Sequence, residues 1–447
     1  MKRFFYYLGY LLLYLSCSDN VDSDNTPSPP DPVQETRQII TRVAFPNLTF
    51  DQPINMITIP NDTQERFIIG ERDGRIFWFE SDESTTEKNM IIDLTSDVGL
   101  VHDGGLLGLV FHPNFGNNNN FLYMWYSSKD STGANFPDNY FSGNDGITQD
   151  CTHEEFFGNF LFLRRLELNP ETLEPVADSF FSMIKIRMYG TSHRGGGMVF
   201  GDDGFLYITT SDQTAWQKSQ DISNNLDGGI LRIDVDQNSA TSSPPNRIIP
   251  EDFGFSDEFT GRGYAIPNDN PFVNSEGTNF EEYFTLGHRN PYRITKDSET
   301  GSMYIGEVGN ANEEINVLQR GGNYGWPVFD AGNSGPGCVP IFNNMNNTTP
   351  LTAFPRDPAI TTAIIGGYVY RGNDIPELQG RYICGDHFST RSLFSVDIEN
   401  GFFETFGNVT ENQGNIIGFG EDYNGEIYIL LQNGNRQLLR IDADGGL

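Results

Sequence analysis

Two glycine-flanked polar segments hold the side chains best suited to chemistry, residues 192–197 (SHRGGG) and residues 286–291 (LGHRNP). In the first segment, His193 suits a general base, because an imidazole titrates near neutral pH. The glycines that follow it would let a planar ligand approach the backbone closely. In the second segment, Arg289 is a fixed cation that can stabilise negative charge as it develops in a reaction. The alternative is that both are solvated or structural side chains, so their roles depend on the fold that positions them.

A short phrase that recurs along the chain predicts the elements around these segments. Each copy has a turn pair, usually ending in glycine, followed by alternating apolar residues that often include a tyrosine. Such a pair tolerates positive φ, and the run after it has strand propensity, so each copy predicts a β-hairpin. The six copies are residues 73–78, 119–124, 203–208, 300–305, 379–383 and 424–429.

Further strand-like runs lie before and after several copies, which makes about four strands per copy. Six copies of a four-stranded unit predict an all-β fold, a six-bladed β-propeller with four antiparallel strands per blade. Residues near 37–45 are expected to add a strand to the last blade and close the ring. Long polar segments at residues 127–159, 236–282 and 327–358 are predicted to be inserted loops. Propellers host many activities, so the blades alone do not predict a function.

Composition limits the classes of partner. The chain has 447 residues, with 61 Asp and Glu against 28 Lys and Arg, and a formal net charge of −33. So acidic a surface repels phosphate backbones, which argues against nucleic acid as a partner. A closed β-architecture can be long, so residues 37–447 are predicted to form one propeller domain. Cys151, Cys338 and Cys384 allow at most one internal disulfide and lack metal-binding spacing.

The N-terminal segment predicts export. Two basic residues precede an apolar run over residues 4–15, which is as long as a signal-peptide core and too short to span a bilayer. Because Cys17 follows this run, residues 1–17 resemble a lipoprotein signal ending at an acylated cysteine; ordinary cleavage without a lipid is the alternative. Residues 18–36, rich in Ser, Asp, Asn and Pro, are predicted to be a flexible tether. The lipid at Cys17 would be the only membrane contact, at the outer membrane, the cell surface or in the periplasm.

Four motifs, in this order, resemble the soluble quinoprotein glucose dehydrogenase / sorbosone dehydrogenase family, which includes Hedgehog-interacting-protein-like members. The resemblance implies a six-bladed propeller, in agreement with the repeat count. It also implies pyrroloquinoline quinone (PQQ) and Ca²⁺ at one end of the propeller, and oxidation of an aldose or related polyol at its anomeric or alcohol carbon. The motifs are residues 105–115 (GLLGLVFHPNF), 192–213 (with SHRGGG and SDQ), 286–327 (with GHRNP and GGNYGWP) and 366–372 (GGYVYRG).

The resemblance implies roles for individual residues. His193 matches the general base that takes the hydroxyl proton while a hydride passes to the quinone. Asp212 matches the acidic residue that orients this histidine and fixes its tautomer. The positions that match cofactor-binding residues are Arg289, Asn290, Gln213, Arg371 (where lysine is usual) and Arg391.

The metal and substrate positions contain departures from the family pattern. The family holds Ca²⁺ on the backbone carbonyls of a Gly-Pro pair, which here is Gly309-Asn310. Asp103 stands where sugar-oxidising members carry glutamine, and Ser192 where glucose dehydrogenases carry aspartate. Both positions border the sugar pocket, so the resemblance implies a substrate other than glucose, or slow oxidation.

Three functions therefore remain open from the sequence. The first is a PQQ- and Ca²⁺-dependent sugar dehydrogenase that passes electrons to an external acceptor. The second is a non-catalytic extracellular propeller that binds a carbohydrate or a protein. The third is a Ca²⁺-dependent lactonase or hydrolase, for which the sequence shows no dedicated cluster of metal-binding side chains.

Overall fold

The computed structural model describes residues 38–135, 158–190, 192–223, 225–246, 263–337, 339–410 and 413–444. The predicted signal at residues 1–17, with Cys17, and the predicted tether at residues 18–36 lie outside these ranges. So do Cys151 and Cys338. Cys384 is a buried free thiol, and burial raises its pKa. Among the described residues, no helix is long and apolar enough to cross a membrane.

Six four-stranded antiparallel sheets form the blades, so the predicted six-bladed propeller is confirmed. In blades 1 to 5 the strands follow one another along the chain as a meander, whereas the outermost strand of blade 6 is β1. After β1 (Ile39–Val43), blade 1 consists of β2 (Pro53–Thr58), β3 (Arg66–Glu71), β4 (Arg75–Glu80) and β5 (Asn89–Asp93), and blade 2 of β6 (Leu106–Phe111), β7 (Phe121–Ser127), β8 (Phe160–Glu167) and β9 (Phe181–Arg187). Blade 3 consists of β10 (Met198–Phe200), β11 (Leu206–Thr209), β12 (Gly229–Ile233) and β15 (Tyr283–Leu286). The hairpin β13 (Ser242–Ser243) and β14 (Ile266–Pro267) is inserted before β15.

The second half of the chain repeats this arrangement. Three short 3₁₀ helices accompany the blades, at Trp216–Gln220, Phe342–Asn344 and Pro376–Leu378. The strands of blades 4 to 6 are β16 (Pro291–Lys296), β17 (Met303–Glu307), β18 (Asn312–Val317) and, after the hairpin β19 (Phe329–Asp330) and β20 (Asn333–Ser334), β21 (Thr352–Pro355); β22 (Ile364–Val369), β23 (Arg381–Asp386), β24 (Ser392–Asp397) and β25 (Phe403–Asn408); and β26 (Asn415–Glu421), β27 (Ile427–Gln432) and β28 (Leu439–Ala443), which pairs with β1.

The ring closes as the sequence predicts. Strand β1 pairs antiparallel with β28, from Ile39 opposite Ala443 to Val43 opposite Leu439. The first strand of each blade contacts the first strands of both neighbouring blades, so β2, β6, β10, β16, β22 and β26 surround a central channel. Five of the six recurring turns lead into the second strand of a blade, and the copy at residues 73–78 leads into the third strand of blade 1.

The middle strands are buried because each blade packs between two others. All six residues of β3 are buried, as are all residues of β11, β12 and β17. Apolar residues on both faces of these strands fill the space between neighbouring sheets. Two predicted loops need correction, because both contain strands. The loop at residues 236–282 contains the hairpin β13–β14, and the loop at residues 327–358 contains the hairpin β19–β20 and β21, the outermost strand of blade 4.

One buried arginine on β16 blocks the central channel. The guanidinium of Arg293 donates hydrogen bonds to the carbonyl oxygens of Ile54 (3.1 Å), Leu107 (3.2 Å), Tyr292 (3.1 Å) and Ile417 (3.3 Å). These carbonyls belong to blades 1, 2, 4 and 6, so a single side chain links four blades at the axis. No carboxylate takes part in these contacts. Arg293 therefore separates the two ends of the channel.

Candidate active site

A cavity of about 390 Å³ opens at the end of the channel where the innermost strands begin. Every blade contributes to its wall, from residues at or just before the start of a first strand or at or just after the end of a second strand. Both positions lie at the same end of the propeller, because the two strands form an antiparallel hairpin. The lining residues are Ile54, Arg72, His102, Asp103, Ser192, His193, Asn290, Tyr292, Val308, Ala363, Ile365, His387, Ile417 and Gln432.

His193 and Asp212 form a buried hydrogen-bonded pair at this cavity. The Nδ1 atom of His193 lies 2.6 Å from Oδ1 of Asp212. The carboxylate accepts the Nδ1 proton, so the Nε2 lone pair is the one left to accept a proton. His193 is 7 % exposed and Asp212 is fully buried, so solvent does not compete for the contact. The two residues predicted as a catalytic pair are thus brought together.

Two further donors hold the Asp212 carboxylate in place. The indole Nε1 of Trp326 donates to its Oδ2 at 2.8 Å, and the backbone N–H of Thr214 donates to its Oδ1 at 2.8 Å. The hydroxyl of Ser211 donates to the carbonyl of His193. Trp326 belongs to the GGNYGWP motif, yet the sequence analysis gave it no role in the site. Its contact follows from the fold, which brings blades 3 and 4 together.

Asp103 supports the backbone of His193 and also faces the cavity. Its Oδ2 accepts the His193 N–H at 2.7 Å, where His193 has a φ of 63°. Its Oδ1 is buried and has no hydrogen-bond partner in the described structure. A buried acceptor of this kind is costly unless a ligand or water satisfies it. Ser192 is partly buried and also lines the cavity, so both predicted substrate-pocket residues lie there.

Arg289 and Asn290 lie next to the catalytic pair. Asn290 lines the cavity, and its Oδ1 accepts the N–H of Gly195 at 3.2 Å. The Arg289 guanidinium lies 5.5 Å from the centre of the Trp326 ring and donates to the carbonyl of Val308 at 2.9 Å. Burial lowers the pKa of Arg289, although the nearby Asp212 carboxylate acts in the opposite direction. Its buried Nε has no hydrogen-bond partner in the described structure, which leaves one donor for a ligand.

Gln213 follows Asp212 in sequence, but its side chain is engaged in hydrogen bonds with other residues of the chain. Its Nε2 donates to Oδ1 of Asp227 and to the carbonyl of Arg187, both at 2.8 Å. Its Oε1 accepts from the Arg194 guanidinium at 3.3 Å and from the Tyr189 N–H at 3.2 Å. These contacts stabilise the loops around the site, and Gln213 is not part of the cavity wall. The structure therefore places it in a supporting position and not in the predicted cofactor-binding one.

Arg371 lies away from the cavity. Ile365 lines the cavity at the start of β22, whereas Arg371 comes after the last residue of that strand, Val369. Its guanidinium makes a bidentate contact with Asp297 at 2.7 and 2.8 Å and a 2.7 Å contact with Glu299. Two carboxylates already neutralise it, so the structure does not bring this predicted cofactor partner to His193.

Arg391 lies near the cavity rim but does not line it. It is in the turn between β23 and β24, where its Nε donates to Oδ1 of Asn415 at 3.1 Å. Arg391 is close to His387, which lines the cavity. Burial lowers the pKa of His387, and the positive charges of Arg391 and Arg72 act in the same direction. Arg391 thus adds positive charge near the cavity without contacting it.

The sequence analysis missed Arg72, His102 and His387 in the cavity wall. The Nε of Arg72 donates to the carbonyl of Gly104 at 2.8 Å, and His387 contacts the carbonyl of Ile416 through Nδ1 at 2.6 Å. Arg72 and His387 directly follow the second strands of blades 1 and 5. The predicted hairpins contain the signal that could have found them. In an antiparallel hairpin, a residue just after the second strand lies beside the start of the first strand, at the end of the propeller where the cavity opens.

The carbonyl pair predicted to bind calcium carries a protein cation instead. Nη1 of Arg356 donates to the carbonyl oxygens of Gly309 at 3.1 Å and of Asn310 at 3.4 Å. Carbonyl oxygens suit Ca²⁺, but here both of them accept hydrogen bonds from a guanidinium. Among the described residues there is also no cluster of three or more His, Cys, Asp or Glu side chains that could hold a metal. The arrangement does not fit the predicted calcium site.

Sequence comparison identifies related proteins. The chain is 25% identical over 456 residues to the HIPL2 protein of Arabidopsis thaliana, covering 87% of this chain and 61% of the relative. It is 25% identical over 406 residues to the Hedgehog-interacting protein of Homo sapiens, covering 85% of this chain and 48% of the relative. It is 28% identical over 240 residues to quinoprotein glucose dehydrogenase B of Acinetobacter calcoaceticus, covering 50% and 40%. The chain thus spans about two fifths to three fifths of the length of these relatives.

Solved structures share the fold. The soluble aldose sugar dehydrogenase of Escherichia coli in its apo-form superposes with a TM-score of 0.64 at 19% identity, covering 91% of this chain and 99% of that one. The PQQ-bound aldose sugar dehydrogenase of Streptomyces coelicolor gives a TM-score of 0.58 at 16% identity, covering 91% and 99%. The sequence pattern of the family described as Glucose / Sorbosone dehydrogenase matches residues 50–248 and 260–440. The chain therefore belongs to the glucose/sorbosone dehydrogenase family.

Proposed function

We propose that the chain is a PQQ-dependent dehydrogenase that oxidises a sugar, an aldose or related polyol, and passes the electrons to an external acceptor. The observation that carries this proposal is the buried His193–Asp212 pair at the wall of a cavity to which all six blades contribute. Such a pair is the arrangement expected of a general base and the group that orients it. Quinoprotein sugar dehydrogenases among the relatives agree with the proposal.

The residues at the cavity fit a planar, anionic cofactor. Asn290 lies in the cavity wall, and Arg289, next to it in sequence but not part of the wall, would contribute positive charge. Arg72 adds a cation in the wall itself, from blade 1. The bound quinone would supply a hydride acceptor next to the substrate carbon. Arg371 and Gln213 stay predictions as cofactor ligands, but their contacts give them other partners, so the proposal does not depend on them.

His193 and its neighbours would perform the proton transfer. Nε2 of His193 would take the proton of the substrate hydroxyl as the carbon loses its hydride and the C–O bond becomes a carbonyl. The imidazolium formed in this step is stabilised by the Asp212 carboxylate, which Trp326 and Thr214 keep oriented. Asp103 would accept a hydrogen bond from a substrate hydroxyl through its unpartnered Oδ1. A carboxylate at this position disfavours substrates that carry a negative charge there.

Dye reduction over a panel of sugars tests this proposal. We expect His193→Gln, in purified protein reconstituted with PQQ, to lose at least about 100-fold in kcat, because the proton acceptor is gone. His112→Gln is the matched control. His112 is also buried, but it contacts Asp236 and does not line the cavity. Equal rates for wild type and His193→Gln would remove His193 as the base.

A second candidate is a binding propeller without catalysis. Relatives named for interaction with Hedgehog match more of this chain than the named glucose dehydrogenase does, and the calcium and Arg371 positions depart from what the dehydrogenase resemblance implies. This candidate predicts no PQQ binding by folded protein. It also predicts that substitutions at His193 leave all ligand affinities unchanged.

Export with a lipid anchor at Cys17 is part of the proposal. It is supported by the basic start, the apolar run and the cysteine that follows it. Metabolic labelling with a clickable fatty acid tests it in cells that express the full chain. Wild type is expected to incorporate the label and Cys17→Ala is expected not to; equal labelling of both proteins would contradict the anchor.

A further inference from the structure

We infer that the guanidinium of Arg356 is the resident cation at the carbonyl pair of Gly309 and Asn310, and that it makes a calcium ion at this position unnecessary. The expectation that a cation belongs at this carbonyl pair rests on the proposed function. The contacts that assign the position to Arg356 stand independently of that function.

Arg356 has the oxygen partners that a hard cation would take. Its Nη1 donates to the carbonyl oxygens of Gly309 and Asn310 at 3.1 and 3.4 Å. Its Nε lies 3.6 Å from Oε1 of Glu313, a fully buried carboxylate whose Oε2 accepts the Ile364 N–H at 3.0 Å. Two carbonyls and one carboxylate are ligands suited to Ca²⁺. The guanidinium donates hydrogen bonds to the two carbonyl oxygens and forms an ion pair with the carboxylate, whose Oε1 has no hydrogen-bond partner in the described structure.

The sheet register fixes where Arg356 lies. Strand β21 pairs with β18, with Pro355 opposite Asn312. The N–H of Arg356 then donates to the carbonyl of Ala311 at 3.0 Å, one residue beyond this pairing. Arg356 is therefore attached to the same turn that carries the carbonyl pair. Its side chain is 37 % exposed, yet its backbone cannot move without breaking the edge of blade 4.

The neighbouring carbonyl faces an arginine as well. The oxygen of Val308 accepts a hydrogen bond from Nη1 of Arg289 at 2.9 Å. Three consecutive carbonyl groups, at residues 308, 309 and 310, thus contact two guanidinium groups. A divalent ion placed on this turn would have to displace Arg356 and would lie next to the remaining positive charge of Arg289. The turn is therefore arranged for protein cations.

Calcium titration in the absence of PQQ and sugar tests this inference separately from the proposed function. Metal-stripped protein is titrated with CaCl₂ by calorimetry at about 0.15 M salt, which screens nonspecific attraction to the acidic surface. We expect no saturable site in wild type and no change in Tm on adding a chelator. Arg356→Ala and Arg356→Gln are expected to gain one saturable site and a Tm that rises with Ca²⁺ concentration.

Arg320→Ala is the matched control. Arg320 also donates to a backbone carbonyl, that of Asp269, and its removal changes the net charge by the same amount. It should behave like wild type. Saturable calcium binding by wild type, or a chelator-induced fall in its Tm, would overturn the inference. So would the absence of a new site in both Arg356 variants, provided that their circular dichroism matches wild type. Activity with PQQ and sugar has no bearing on any of these readouts.

Discussion

Replacing the buried Arg293 is expected to destabilise the whole propeller. Its guanidinium holds four carbonyl oxygens from four blades at 3.1 to 3.3 Å. Arg293→Met would keep much of the side-chain volume and remove every donor. Each carbonyl would then be buried without a partner, at a cost of about 1–3 kcal/mol apiece. The loss of the buried charge offsets part of this cost.

The net effect should be about 3–5 kcal/mol, the range seen when a buried polar network loses one partner. A propeller of about 400 residues has an unfolding entropy of roughly 0.8 kcal/mol per kelvin at its Tm. Dividing the loss of stability by the unfolding entropy predicts a fall in Tm of about 4–6 °C.

Differential scanning calorimetry measures this shift directly. Arg320→Met serves as the control, because Arg320 is exposed and its removal costs little. A Tm for Arg293→Met within about 1 °C of wild type would refute the argument that Arg293 links the blades. A lower Tm with unchanged calorimetric cooperativity would support it, since all blades should then still unfold together.

Three further predictions concern the two ends of the channel. Asp212→Asn should lower kcat by about 10²–10⁴-fold at nearly unchanged KM in steady-state dye reduction, because an amide does not stabilise the imidazolium; an unchanged kcat would contradict it. Asp103→Asn should raise KM by about 10-fold, with a smaller effect on kcat, because the substrate loses one hydrogen bond to a charged acceptor. Burial raises the pKa of Glu421 from 4.5 to about 7, so the folded protein holds a proton that the unfolded chain has lost, and stability falls as pH rises between these two values. Glu421→Gln should reduce the fall in Tm between pH 5 and pH 7.5, and identical profiles for both proteins would exclude this role.

The fold was predictable because the hairpin turns carry a local signal. Pairs such as Asp73-Gly74 and Asn424-Gly425 place glycine at positive φ, 100° and 80°, before an alternating strand. Counting such turns gives the blade number without any tertiary information. The strand that closes the ring was also predictable from the sequence, because the apolar run after residue 37 has no other strand to pair with in the predicted order of the blades.

The catalytic pair and the wall residues Asn290, Asp103 and Ser192 were predictable from motif and chemistry, but other wall residues were not. Arg72 and His387 lie outside the four motifs. Their place in the hairpins puts them at this end of the propeller, and the ring geometry brings them to the cavity. Arg371 was expected at the cavity because it matches a cofactor-binding position of the family, but the cavity lies at the start of β22. A six-residue strand separates that start from Arg371, and the carboxylate of Asp297 binds it at the other end.

Arg356 shows the same limitation more sharply. No local pattern indicates that an arginine at the end of β21 will contact carbonyls more than forty residues earlier. The contact depends on the pairing of β18 with β21 across an inserted hairpin, and such pairing is not encoded in the spacing of either strand. Calcium at Gly309 and Asn310 stays a prediction of the sequence, and the proposal that Arg356 takes its place comes from the contacts in the fold.

Titration of PQQ into the purified protein, followed by absorbance and calorimetry and then by dye reduction over a sugar panel, tests the central claim most directly. The account predicts stoichiometric binding by wild type and by His193→Gln, a shifted quinone spectrum in both, and sugar oxidation by wild type alone. No binding at micromolar PQQ by protein with a sharp unfolding transition would contradict the dehydrogenase proposal and favour a binding propeller.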